Sequence, residues 1–78
     1  MMTRLQILGS GCANCTRLAS HVETAARELG MEFEVEKVTD MQAILRAGVM
    51  KTPALVVDGK VKVYGRVPTV DELKTMLA

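Results

Sequence analysis

Tryptophan is absent from this chain, and tyrosine and phenylalanine occur once each, so no aromatic platform exists on which bases could stack. Neither sign of charge dominates, because ten basic and nine acidic residues are interspersed along the 78 residues. Without a basic footprint or a stacking surface, nucleic-acid binding is not expected. No apolar run approaches the length of a membrane span, and the one near Met1 is too short for the central region of a signal peptide. A cytoplasmic protein without membrane attachment is therefore expected. Repeats, low-complexity tracts and linkers are also missing. A chain of 78 residues has room for one domain, residues 1–78, with one small core.

Cysteine is scarce too, but both copies stand together as Gly11-Cys12-Ala13-Asn14-Cys15, between an apolar strand-like run and a strongly helical one. A CxxC at a helix start puts two thiols one turn apart, close enough to bond. Unpaired backbone N–H groups beside the first sulfur stabilise a thiolate. A disulfide across two residues closes too small a loop to restrict the unfolded chain, so its value lies in being made and broken. Redox chemistry is the leading expectation, and two buried small hydrophobes the weaker one.

Hydrophobic periodicity orders the rest. Arg4 to Gly9 reads as a strand. Cys15 to Leu29 reads as a helix with its stripe at Leu18, Ala19, Val22, Ala25, Ala26 and Leu29, stopped by Gly30. Met31, Phe33 and Val35 alternate with Glu32, Glu34 and Glu36 in a second strand, at a sheet edge with the glutamates in water. Thr39 or Asp40 caps a second helix with Met41, Ile44 and Leu45 inward, ending at Gly48. Ala54 to Val57 is continuously apolar, as in a strand covered on both faces. Asp58-Gly59 is a tight hairpin signal, and Lys60 to Tyr64 returns with alternation. Thr69 and Glu72 form a capping box ahead of Leu73, Met76 and Leu77. The order is βαβαββα. Strands one and three, the more apolar, belong in the centre, giving sheet order 2-1-3-4. A parallel first crossover and an antiparallel hairpin make the sheet mixed.

This element order, with Cys12-Ala13-Asn14-Cys15 at a helix start, Thr52-Pro53 opening the third strand and Tyr64-Gly65 before the last helix, resembles the minimal thioredoxin or glutaredoxin fold, an α/β architecture with helices on both sheet faces. The chain is most similar to small archaeal and bacterial thioredoxin-like redox-active disulfide proteins, which share Gly-Cys-Ala-Asn-Cys and a Gly-Arg-Val segment after the hairpin, here Gly65-Arg66-Val67. It departs from the Trp-Cys-Gly-Pro-Cys of general thioredoxins and from the Cys-Pro-Tyr-Cys of glutaredoxins. The resemblance implies that Pro53 is cis against the CxxC and that the backbone of Thr52 pairs with the substrate chain.

Within this frame Cys12, ahead of the helix and the more exposed of the pair, is the expected attacking thiolate. Helix-terminal cysteines reach pKa values of about 3.5 to 7.5. Cys15, one turn inside, is expected to resolve the mixed disulfide on Cys12. Gly11 permits the turn, and Ala13 and Asn14 flank the thiolate and tune the exchange. The expected activity is thiol–disulfide exchange by a monomer, without bound cofactor or metal, its partners being protein disulfides and a thiol reductase. The alternative is a module that holds a soft metal or metalloid ion between the two thiolates. Heavy-metal-associated domains of that type run βαββαβ and end in a strand, whereas a capped helix is expected here. A complete zinc site is not, since His21 lies off the CxxC face and is expected to be an exposed helix residue without a role. Met41, Met50 and Met76 are expected in packing positions. Lys51 and Arg66 are expected to be solvated beside the site.

Overall fold

In a computed structural model that describes residues 2–9 and 13–78, the elements follow the expected order. They are β1 (Thr3–Leu8), α1 (Ala13–Glu28), β2 (Phe33–Val38), α2 (Met41–Arg46), β3 (Ala54–Val57), β4 (Lys60–Tyr64) and α3 (Val70–Leu77). The sheet runs β2-β1-β3-β4. β1 pairs in parallel with β2 and antiparallel with β3, and β3 pairs antiparallel with β4. Among the described residues no helix is long and apolar enough to cross a membrane.

Alternation along β1 sends side chains to two cores. Leu5 and Ile7 join Leu55 and Val63 beneath Leu18, Val22, Ala25 and Ala26 of α1 and Leu73 of α3. On the opposite face Leu8, Ala54 and Val56 meet Ile44 of α2 and Val49. Phe33 and Val35 pack from the β2 edge into the first core, while Glu32 and Glu34 stay exposed. Glu36 is half-buried instead, because it accepts from Gln6 Nε2 at 2.9 Å and from Arg4 Nη2 at 3.0 Å. Those partners, Gln6 foremost, hold its carboxyl below the usual range.

Local chemistry accounts for the turns. Asp58 and Gly59 adopt φ of 49° and 85°, the pair of left-handed conformations that a two-residue hairpin of the right twist requires. Asp58 also fastens β1, accepting from Arg4 N through Oδ1 at 2.9 Å and donating its own N–H to Arg4 O at 2.9 Å. Asp40, not Thr39, caps α2 by accepting from Gln42 N. At α3 both bonds of the Thr69/Glu72 capping box form.

Three further expectations need correction. Met41 and Leu45 are each 60 % exposed and Met50 is 88 % exposed, whereas Met76 does pack against the larger core. α2 has six residues and buries only Ile44, so its nominal stripe exceeds the surface available to cover it. Along β4, Val63 opposes Leu55 but Val61 opposes Val56, with a bulge at Lys62. The extra residue puts Val61 and Val63 on opposite faces and breaks the expected alternation. His21 is half-buried rather than exposed, its Nδ1 lying 2.9 Å from the Pro68 carbonyl oxygen. Arg66 is exposed, as expected, and donates from the surface to Glu72 at 2.9 Å.

Two stability measurements follow. Leu18→Ala, at a fully buried position between sheet and α3, should lower the unfolding free energy by about 2–5 kcal/mol. Leu45→Ala should change it by about 0.5 kcal/mol or less, as read by denaturant titration. The Glu72 carboxyl is held below its ordinary range, first by the Thr69 backbone N–H and then by Arg66. Its contribution is therefore complete above the unfolded carboxylate pKa and is lost as pH falls through the lower folded value. Glu72→Gln should flatten that acid limb of the stability profile.

Candidate functional site

The pairing directions decide where the loops meet. Parallel β1 and β2 end together, β3 starts at the same end, and β4 returns to it. Gly9, Thr39, Thr52-Pro53 and Gly65 are thereby gathered at one edge of the sheet, although as many as 56 positions separate them in the chain. Gly9 continues the β1–β2 ladder by donating its N–H to Val38 O at 2.9 Å.

The expected resolving cysteine, Cys15, is buried. It lies in the first turn of α1, is only 6 % exposed, and its Sγ packs against the bare Cα of Gly9. A side-chain carbon at position 9 would collide with that sulfur, and would lie 3.7 Å from Thr52 Cβ. Cys15 and Thr52 thus approach the same point from α1 and from the loop ahead of β3. Ala13 and Asn14 are exposed on the opening turn of α1, a turn that carries no acidic residue. Gly11 and Cys12 lie outside the described residues.

The Thr52–Pro53 peptide bond is cis, as the resemblance implied. Pro53 is buried and Thr52 exposed. The loop is tied to the far side of the site by Gly65, whose N–H donates to Pro53 O at 2.9 Å. Gly65 has φ of 77°, and a Cβ there would meet Cδ and Cβ of Lys51 at 3.3 and 3.4 Å. The stem of Lys51 consequently lies alongside Gly65. Arg66, the next residue, is held by Glu72.

Beside Cys15 is a pocket of about 90 Å³ lined by Ile7, Gly9, Cys15, Thr16, Lys37 and Thr39. Lys37 belongs to it because it stands opposite Ile7 in the β1–β2 register. Gly9, Lys37 and Thr39 were not singled out from the sequence. Only the register between distant strands brings the latter two to the thiol. Gly9 carried one legible sign, a glycine at a strand end three residues ahead of Cys12. The arrangement provides a thiol sheltered from large molecules, set in the first turn of a helix, next to an exposed Thr52.

Residues 3–78 match the family model described as thioredoxin domain. The chain is similar to the protein named thioredoxin from Methanothermobacter thermautotrophicus, at 44 % identity over 77 residues covering 99 % of this chain and 100 % of that one. A second similar protein, also named thioredoxin, comes from Methanocaldococcus jannaschii, at 35 % identity over 99 % of this chain and 88 % of the relative. Among solved structures, one from a study of thioredoxin-2, a component of malaria parasite protein secretion machinery, superposes with a TM-score of 0.72. It covers 97 % of this chain and 81 % of that one. At 11 % identity that likeness concerns the fold alone.

Gly65→Ala should cost more stability than Gly30→Ala. Both residues have positive φ, but nothing lies within 4 Å of a Cβ at Gly30, whereas at Gly65 the Lys51 stem must give way. The shared backbone part is about 1–3 kcal/mol. Adding Lys51→Ala to Gly65→Ala should remove the excess, measured by thermal unfolding of Gly30→Ala, Gly65→Ala, Lys51→Ala and the Lys51→Ala/Gly65→Ala double variant.

Proposed function

The chain belongs to the thioredoxin family and is a thiol–disulfide oxidoreductase, and from that premise we propose that it works by cycling Cys12 and Cys15 between dithiol and disulfide with protein partners. The burial of Cys15 in the first turn of α1, with its sulfur against Gly9 and Thr52 alongside, is the observation that carries this reading.

Cys12 precedes the first residue of α1 in the chain, and the opening turn of α1 has no acidic side chain to oppose a thiolate there. Free N–H groups at a helix start favour the thiolate electrostatically. The Cys12 thiolate attacks a disulfide sulfur of the substrate; the substrate disulfide breaks, one substrate thiolate leaves, and a mixed disulfide joins Cys12 to the other. Cys15, inaccessible to a second protein, then loses its proton and attacks Cys12 Sγ. The mixed disulfide breaks, the second substrate thiolate departs, and the oxidised Cys12–Cys15 pair awaits two electrons from a thiol reductase.

Gly11 allows the chain to turn into the helix. Ala13 and Asn14 form the rim that meets the substrate, and the backbone of Thr52, set by Pro53, pairs with the substrate strand as an added β-segment would. Electrons travel through thiols alone, with no bound cofactor or metal. The 78 residues act as one domain, as a monomer, in the cytoplasm. The alternative of soft-ion delivery sits less well with an architecture that places α2 between β2 and β3.

Cys15→Ser tests the cycle. Incubated with cell extract, it should accumulate mixed disulfides that migrate as larger species and collapse on adding dithiothreitol, while Cys12→Ser captures none. Capture by Cys12→Ser but not by Cys15→Ser would reverse the roles, and capture by neither would contradict disulfide exchange.

A further inference from the structure

Gly30, Gly48, Gly59 and Gly65 occupy positive-φ conformations that favour glycine, but Gly9 does not. Nothing in its backbone demands the missing side chain. What demands it is space, because Gly9 is buried, and a Cβ there would collide with Cys15 Sγ and stand 3.3 Å from Cys15 Cβ. The same point lies 3.7 Å from Thr52 Cβ.

We propose that Gly9 is a positioning residue for the resolving step: its bare Cα is the floor on which Cys15 Sγ rests, and it sets how deep the thiol lies relative to the Thr52 loop where substrate docks. The inference rests on the cycle proposed above and adds a residue to it. Gly9 cannot shift, because its N–H is bonded to Val38 O at 2.9 Å and the strand before it is buried between two cores. A side chain at position 9 would have to be accommodated by Cys15. The α1 backbone beneath Cys15 is held by Leu18, Ala19 and Val22 in the larger core, so the yielding coordinate is the Cys15 side chain, whose sulfur must be in line with the Cys12–substrate bond. Misplacement of a reacting atom by an ångström costs up to roughly 100-fold in rate. Attack by Cys12 on the first substrate sulfur does not use Cys15 Sγ and should be spared.

An aromatic disulfide, dithiobis-nitrobenzoate, separates the two steps in the full-length reduced protein. Attack by Cys12 releases one thionitrobenzoate anion and leaves the other aryl thiol on Cys12; attack by Cys15 on Cys12 Sγ releases the second anion and forms Cys12–Cys15. With one equivalent of reagent, Gly9→Ala should leave the first phase within about twofold of wild type and slow the second roughly 10- to 100-fold. Unchanged phases, or equal slowing of both, would overturn the proposal. Wild-type protein that releases only one anion would instead refute the underlying cycle.

A stability cycle guards against simple misfolding. Gly9→Ala should be markedly less destabilising in a Cys15→Ala background, where the colliding sulfur is gone, than in wild type. If Gly9→Ala folds only in that background, the proposal stands. Equal destabilisation in both, or failure to fold in both, would assign Gly9 to backbone packing and overturn it.

Discussion

Burial of β1 on both faces is the constraint from which the rest follows. Leu5 and Ile7 point into the core under α1 and α3, and Leu8 into the one under α2. A strand so enclosed must be central, with neighbours on both sides, and helices must cover both surfaces of the sheet. With β2 parallel and β3 antiparallel to it, the C-terminal end of β1 becomes the place where the start of α1, the end of β2, the start of β3 and the end of β4 converge. The site is a consequence of strand direction before it is a consequence of any single side chain.

Stability and reactivity are divided accordingly. The buried members of both cores are aliphatic, with Phe33 and Met76 packed against the larger one, and neither core draws on the cysteine pair. A disulfide closing so short a loop would add little to the unfolded chain's constraint in any case. The site end of the sheet is shaped by Gly9 against Cys15, by the Thr52–Pro53 loop whose Pro53 carbonyl accepts from Gly65 N–H at 2.9 Å, and by a six-residue α2 that buries Ile44.

Wherever a local signal decides a local structure, the sequence was readable. The Asp58-Gly59 turn, the Thr69/Glu72 capping box, the edge position of β2 and the central positions of β1 and β3 all appear as the periodicity and turn chemistry require. What escaped depends on neighbours distant in the chain. The stripe of α2 is genuine as a pattern, but whether Met41 and Leu45 are covered depends on how much of the sheet a short helix reaches. The bulge at Lys62 moves Val61 to the other face, and alternation alone cannot reveal an inserted residue. The contact of His21 with Pro68 arises from α1 meeting the approach to α3. At the site, the CxxC and Thr52-Pro53 were visible as motifs, whereas Lys37 and Thr39 become part of it only because β2 runs beside β1, and Gly9 through its contact with Cys15.

The mechanism requires the two cysteines to exchange electrons reversibly within reach of cellular thiols. The equilibrium reduction potential of the Cys12–Cys15 couple, titrated in thiol/disulfide buffers with metals chelated and read by alkylation and mass, bears on that requirement most directly. A value between about −300 and −180 mV, the span of thioredoxins, glutaredoxins and disulfide isomerases, is expected. A pair that forms no intramolecular disulfide over that range, or one too stable for cellular reductants to open, would contradict the redox cycle and turn attention to the two thiolates as ligands for a soft ion.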